Sequence, residues 1–162
     1  IGEELKVDLL IECTLTCYGD SVCVLIRAVT TTQKEKQILE AAYNDAQGIT
    51  AAFNPNLLAR INRELGADFD LAQWQHRAFY NEQAGRIEMH VVSRMAQQVN
   101  LLGQTFDFAG GETIHTENSY KYSVEEFRDL AARAGFTTDT VWTDDDNLFS
   151  LHLLQTGGSD AI

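Results

Sequence analysis

The sequence predicts a mixed α/β chain, and three observations carry that expectation. Apolar residues fall at helical spacing between Gln33 and Gly66 and alternate at strand spacing between Ala78 and Phe108. After Ser123 the helical spacing returns and is followed by two strand-like runs. The 162 residues are 44% hydrophobic and 22% charged, enough for a sizeable core in a globular domain.

Residues 1–32 are the least regular stretch. Leu5 to Ile11 is apolar-rich, Val22 to Ile26 reads as a buried strand, and Thr30-Thr31-Thr32 breaks the pattern. Ile38, Leu39, Ala42 and Tyr43 then predict a helix over Gln33–Ala46, ending before Gly48. Asn54-Pro55 predicts a restart, because proline is tolerated where a helix begins. Leu57, Leu58, Ile61 and Leu65 line one face of that second helix, which Gly66 closes. Ala78 and Tyr80, then Ile87, Met89 and Val91, predict two strands joined by a hairpin loop over Asn81–Gly85. Val99, Leu101, Phe106 and Phe108 continue the strand pattern around a turn at Gly103.

The stretch from Gly110 to Tyr122 is polar and aromatic with no period, and it reads as a long irregular loop of the kind that often carries function. Ser123 with Glu126 forms a capping box. It opens a helix whose buried stripe is Phe127, Leu130, Ala131 and Ala134, ending at Gly135. Strands over about Thr138–Thr143 and Leu148–Leu154 follow, separated by the turn-forming Asp144-Asp145-Asp146-Asn147. They predict an antiparallel hairpin in which Trp142 and Phe149 are at least partly buried.

The net charge of −12 argues against nucleic acid or an anionic membrane as partner, since phosphates require clustered Lys and Arg. No apolar window is long enough to cross a membrane, and no signal peptide is visible. These features predict a cytoplasmic protein. The absence of an initiator Met predicts a piece of a longer chain. Cys13, Cys17 and Cys23 are an odd cluster with no histidine nearby in sequence, which fits reduced thiols better than a disulfide framework or a zinc site.

Neither a phosphate loop nor a Gly-x-Gly-x-x-Gly turn occurs, and Gly110-Gly111 is not followed by a helix. No Gly-x-Ser-x-Gly elbow is present. His76, His90, His115 and His152 stand apart in the sequence without metal-binding spacing, so no metal site is expected. Glu117 and Ser119 are two residues apart, and in an extended segment they share a side. A carboxylate beside a hydroxyl can orient an N–H donor such as an imidazole ring. On spacing alone, an ordinary surface Glu and Ser is the commoner outcome.

Several motifs in register add to this reading. They are the run from Leu39 to Asn54, Asn56-Leu57-Leu58 with Ile61 to Phe69, Arg86-Ile87-Glu88-Met89, Gly111 to Tyr122, and Val141-Trp142-Thr143-Asp144. In this order, from about Gln37 to Leu154, the chain resembles the histidine-specific SAM-dependent methyltransferases, the L-histidine Nα-methyltransferase family of ergothioneine biosynthesis. The resemblance implies the C-terminal part of a class I (Rossmann-like) α/β methyltransferase. It would have a β-rich substrate-binding insertion and a terminal antiparallel hairpin. Residues 1–32 fit it poorly, residues 33–122 correspond to the substrate-binding region, and residues 123–162 to the last helix and hairpin of the core. Pro55 departs from the aliphatic residue expected between the two asparagines.

By the same resemblance, Tyr43 is similar to the tyrosine that holds the amino-acid end of the substrate. Phe53 and Met89 fall where side chains wall the histidine pocket, and Glu117 and Ser119 resemble the pair that hydrogen-bonds the imidazole. The implied substrate is L-histidine, the implied methyl donor S-adenosyl-L-methionine, and the implied protein a monomer. Methyl transfer from a sulfonium to an amine is an in-line displacement that needs positioning and no metal. The Gly-rich SAM loop has no counterpart in the sequence, so the chain alone is expected to be inactive. Two alternatives are a non-catalytic binding module derived from such an enzyme and a related methyltransferase acting on another amino acid. Glu117 and Ser119 favour histidine over the latter.

Overall fold

The structure, a computed structural model, describes residues 16–18, 21–26 and 33–156. Among these, one compact unit runs from Gln37 to Ser119, and a second joins residues 16–18, 21–26 and 33–36 to residues 120–156. The architecture is mixed α/β, and the registers it shows are antiparallel. No helix of the described residues is long and apolar enough to cross a membrane. The side chains of Cys13, Cys17 and Cys23, and the burial expected for Val22–Ile26, lie outside what is described.

α1 (Gln33–Tyr43), which enters the first unit at Gln37, stops three residues before the predicted end. Asn44 closes it: its backbone N–H makes a last helical bond to Glu40 O at 2.9 Å, and its side-chain amide bonds both to Glu40 O at 2.8 Å and to strand backbone. Its Nδ2 donates to Ala78 O at 3.0 Å and its Oδ1 accepts from Ala78 N at 3.2 Å. The Asp45 carboxylate then accepts from the backbone N–H groups of Ile49 and Thr50, both at 2.8 Å. Those bonds, chiefly from Thr50, hold its pKa below the usual carboxylate range. They also organise a short helix that periodicity does not reveal, α2 (Ile49–Phe53). Pro55 stands at the cap of α3 (Asn56–Leu65), and Gly66 closes α3 at φ 68°, a left-handed conformation that glycine adopts without a Cβ clash.

Strands β3 (Trp74–Asn81), β4 (Arg86–Ser93) and β7 (Thr113–Tyr120) form one sheet in that order. β5 (Gln97–Leu101) and β6 (Gln104–Phe108) form a separate hairpin. The β3–β4 register pairs Trp74 with Ser93, His76 with Val91, Ala78 with Met89 and Tyr80 with Ile87. Alternation therefore assigns these residues to one face and Arg77, Phe79, Glu88 and His90 to the other. The first face contributes to a core of Leu58, Phe69, Trp74, Val91 and Val99, with Ile61, Phe108 and Ile114 packed against it. Leu57 and Leu65, expected on the same helical face as Leu58, are exposed: α3 buries a narrower stripe than its sequence suggests. β7 corrects the expectation of an irregular loop over Gly110–Tyr122. Its polar residues give no apolar alternation, and its hydrogen bonding to β4 makes it a strand nonetheless.

In the second unit, β1 (Thr16–Tyr18), β2 (Ser21–Ile26), β9 (Ser150–Thr156) and β8 (Phe136–Thr143) make a four-stranded sheet in the order β1-β2-β9-β8. The β8–β9 hairpin is antiparallel, as predicted, and its turn is secured by the Asp144 carboxylate accepting from Phe149 N at 3.0 Å. The capping box is present in full. Ser123 backbone N–H donates to Glu126 at 2.7 Å and holds that carboxyl below its ordinary pKa, while Glu126 N–H donates to Ser123 Oγ at 3.2 Å. It opens α4 (Val124–Arg133), which buries Phe127 and Ala131 against Leu154. Leu130 and Ala134 lie outside the buried stripe, and Trp142 keeps 49% of its surface exposed, while Phe149 is partly buried. Fewer large side chains enter this core than periodicity predicted, and His152 occupies part of it. That residue is fully buried, bonded to Ser150 Oγ at 2.8 Å and edge-on to Phe127 at 4.6 Å.

Burial pushes the His152 pKa down, and Arg128 adds to the shift. The unfolded chain therefore binds a proton more readily than the folded one, and stability is lost as pH falls below the ordinary histidine range. In chemical denaturation from pH 8 to pH 5, the chain should lose stability as pH falls. His152→Leu should flatten that slope. An unchanged slope in the variant would exclude His152 as its source.

Candidate functional site

Two of the residues singled out in the sequence meet directly. Tyr43, at the C-terminal end of α1, and Ser119, near the end of β7, share a hydrogen bond of 2.6 Å between their hydroxyls across 76 positions of chain. Both side chains are partly buried.

Tyr43 is held from behind as well. Asn54, 5% exposed, uses Nδ2 to donate to His90 O at 3.0 Å and to His76 Nδ1 at 2.9 Å. An amide nitrogen can only donate, so His76 Nδ1 accepts and its Nε2 carries the hydrogen. That Nε2–H donates to Tyr43 O at 2.8 Å. The tautomer of His76 is thereby fixed by its neighbours. Two further contacts tie α1 to β3, from Asn44 to Ala78 and from Tyr80 N to the Glu40 carboxylate at 2.9 Å. In the sequence Asn54 reads only as part of a helix restart and His76 only as an isolated histidine, so neither is marked as an anchor. A signal existed in the run Asn54-Pro55-Asn56, where a polar side chain precedes a helix start, but nothing indicated that Asn54 is buried.

Met89 is buried at 4% exposure on β4. Its carbonyl accepts from Thr116 Oγ1 at 2.9 Å, which links it to β7 one residue before Glu117. The Glu117 carboxylate is exposed and has no hydrogen-bond or ion-pair partner among the described residues. Along β7, Ile114, Thr116 and Ser119 are partly buried, and Glu117 and Asn118 are consecutively exposed. The period of two slips there, so Glu117 and Ser119 differ in exposure rather than sharing one environment. Phe53 is 62% exposed on α2 and makes no ring contact among the described residues. The structure thus brings Tyr43 and Ser119 together and places Met89 beside β7. It leaves the Glu117 carboxylate and the Phe53 ring outside that hydrogen-bonded group.

The other sheet face brings together histidines that stand far apart in sequence. The rings of His90 and His115 stack at 4.5 Å and 13°, and Phe79 stacks on His90 at 5.3 Å. Glu88, two residues before His90, receives Arg86 Nη2 at 2.7 Å and Nε at 2.9 Å, and Asn81 Nδ2 at 3.0 Å. The Arg86 guanidinium, with help from His90 and Asn81 against the effect of burial, holds the Glu88 carboxyl down to about 2. Separation along the chain did not reveal this group, because its members come from neighbouring strands.

Among the described residues there is no glycine-rich loop leading from a strand into a helix. Gly48, the one left-handed glycine that opens a helix, precedes the five-residue α2 and follows a turn.

Residues 14–156 match the model of a family described as histidine-specific methyltransferase, SAM-dependent. The match begins well before Gln37, where the sequence motifs begin. Over 122 residues the chain is 45% identical to a histidine N-alpha-methyltransferase of Mycolicibacterium smegmatis and 42% identical to that of Mycobacterium tuberculosis. Each alignment covers 74% of this chain and 38% of the relative. It is 27% identical over 105 residues to ergothioneine biosynthesis protein 1 of Schizosaccharomyces pombe, covering 64% of this chain and 14% of that protein. The aligned stretch thus spans well under half of these relatives. With the family match running from strand β1 to the end of β9, the chain belongs to the histidine-specific SAM-dependent methyltransferases.

Proposed function

We propose that this chain is the substrate-recognition portion of an enzyme that methylates the α-amino nitrogen of L-histidine, with S-adenosyl-L-methionine as methyl donor. The observation that carries the reading is the 2.6 Å bond between Tyr43 and Ser119, two residues that the family resemblance assigns to opposite ends of the same substrate. The compact unit over Gln37–Ser119 supports assigning residues 33–122 to substrate binding. In the second unit β9 runs antiparallel to both β2 and β8, so those two flanking strands run parallel to each other. That arrangement supports a Rossmann-like methyltransferase core ending in residues 123–162.

On this reading Glu117 accepts the imidazole N–H and Ser119 bonds the same ring. Met89 and Phe53 wall it, and Tyr43 holds the amino-acid end. A carboxylate–imidazole contact that the bound substrate itself covers selects strongly, because a ligand without the N–H leaves the carboxylate unpaired. The unengaged Glu117 carboxylate is what such a role requires before substrate arrives. The second reading is a binding module without catalysis, derived from such an enzyme.

Calorimetric titration separates the two readings from a complete active site in this chain. S-adenosylhomocysteine should give no saturable heat with the isolated chain at sub-millimolar concentration, and a micromolar one-to-one isotherm would contradict this.

Substitutions belong in a full-length enzyme containing this region. A hydrogen bond to a charged group contributes about 1.5–3 kcal/mol, so Glu117→Ala should lower histidine use by roughly ten- to a hundredfold. The affinity for the methyl donor should be unaffected. Ser119→Ala should cost less, because a neutral bond contributes about 0.5–1.5 kcal/mol. Tyr43→Phe should weaken all amino-acid substrates alike if the hydroxyl holds the ammonium and carboxylate. A loss confined to histidine would instead assign that hydroxyl to positioning Ser119. Undiminished histidine turnover in Glu117→Ala would remove the imidazole role.

A further inference from the structure

The Glu88, His90 and His115 group has the composition and geometry of a metal-binding site. Glu88 and His90 are two residues apart on β4 and so share a sheet face, and His115 stacks on His90 from β7. One donor atom from each of the three lies within 4.8 Å of the other two. A tetrahedral ion with bonds of about 2.0–2.1 Å sets its ligand atoms roughly 3.3 Å apart. Glu88 Oε2 and His90 Nε2 are already 3.3 Å apart, long for a hydrogen bond and right for two ligands of one ion. The remaining distance falls to His115. The rings are nearly parallel at 13°, so an ion in the plane of His90 lies outside the plane of His115, and the His115 ring must tilt to share it. His115 is exposed, and its ring can tilt towards a shared ion without moving buried atoms.

The surrounding contacts suit this role. Arg86 and Asn81 take Glu88 Oε1, which orients the carboxylate and leaves Oε2 towards His90. His115 Nε2 lies 3.1 Å from Glu117 O, a carbonyl that only accepts, so Nε2 carries the hydrogen and Nδ1 is bare. His90 Nδ1 is buried without a hydrogen-bond partner, so the ring spends only one nitrogen, on the long contact to Glu88. Ligation at Nε2 requires the His90 hydrogen to move to Nδ1, a change of tautomer with no change of charge that leaves a buried N–H without an acceptor among the described residues and so limits the affinity.

We infer that Glu88, His90 and His115 bind one transition-metal ion of the Zn2+ class, leaving a coordination position open to solvent beside His115. Two imidazoles and one carboxylate select Zn2+, Co2+, Ni2+ or Cu2+ over Mg2+ and Ca2+. The ion would tie β4 to β7 next to Glu117.

The test is calorimetric titration of Zn2+ into the untagged 162-residue chain carrying Cys13→Ser, Cys17→Ser and Cys23→Ser, so that thiolates do not compete. The expected result is one ion per chain with an affinity of about micromolar order, no response to Mg2+, and weakening as pH falls through the imidazole range. Loss of an outer contact alone typically costs 10–100-fold in metal affinity, so removal of a ligand by His115→Ala should cost at least about tenfold. Co2+ should give a tetrahedral ligand-field spectrum that His115→Ala abolishes. His115 is exposed, so this variant should fold; His90→Ala, checked by circular dichroism, provides the second arm. Absence of saturable binding, or binding that His115→Ala leaves unchanged, overturns the inference.

Discussion

The geometry of the Gln37–Ser119 unit depends on one buried amide. Asn54 sits between α2 and α3, and its single NH2 group bonds to the β4 backbone through His90 O and to β3 through His76 Nδ1. His76 passes the constraint on to the carbonyl of Tyr43. A buried polar side chain is costly unless satisfied, and here its two partners lie on two strands, with His76 extending the network to a third element, α1. The arrangement is directional in a way that apolar packing is not. Turning the amide over would set its oxygen against the His90 carbonyl, and protonating His76 at Nδ1 would set donor against donor. The helical layer therefore meets the sheet in one register, and Tyr43 is placed by hydrogen bonding as well as by packing.

The apolar core works alongside this network. Leu58 and Val91 are fully buried, and Trp74 packs edge to face with Phe69 at 5.7 Å and with Phe108 at 5.1 Å between ring centroids. Such burial supplies most of the driving force, about 1.5–3 kcal/mol for each large side chain. It does not by itself select which residue of α1 faces Ser119. That choice comes from Asn44 on Ala78, Glu40 on Tyr80 and His76 on Tyr43, which fix the end of the helix against one strand. Stability and precision thus come from different sets of residues.

What the sequence made legible follows from this division. Periodic burial is a local property, so α3, α4 and the strand pairs β3–β4, β5–β6 and β8–β9 could be read from spacing, with the capping box and glycine turns marking their ends. β7 could not, because an edge strand with polar residues on its exposed side lacks alternation, and its strand state comes from pairing with β4. The predicted stripe of α4 was too wide at Leu130 and Ala134 because periodicity gives the direction of a face and not its width. Of the five proposed substrate residues, family motifs named all, yet only the Tyr43–Ser119 contact follows directly from the fold. His90 and His115 show the opposite case: no motif links residues 25 positions apart, and the sheet joins them.

The hydroxyl pair has a consequence for how a ligand could be received. A serine hydroxyl carries one donor and two acceptor positions, and so does a tyrosine hydroxyl apart from its weaker acceptor character. If Tyr43 donates to Ser119, the serine retains its own hydrogen and a lone pair. It can then bond a ring nitrogen without releasing Tyr43, and the ligand displaces solvent rather than a protein contact. Glu117 can only accept when ionised. A carboxylate that accepts and a hydroxyl that donates match a neutral imidazole, which has one N–H and one bare nitrogen. On the proposed reading, the pair would therefore select the ring and its tautomer together. The Tyr43 bond would matter to that selection by determining which way the Ser119 hydrogen points.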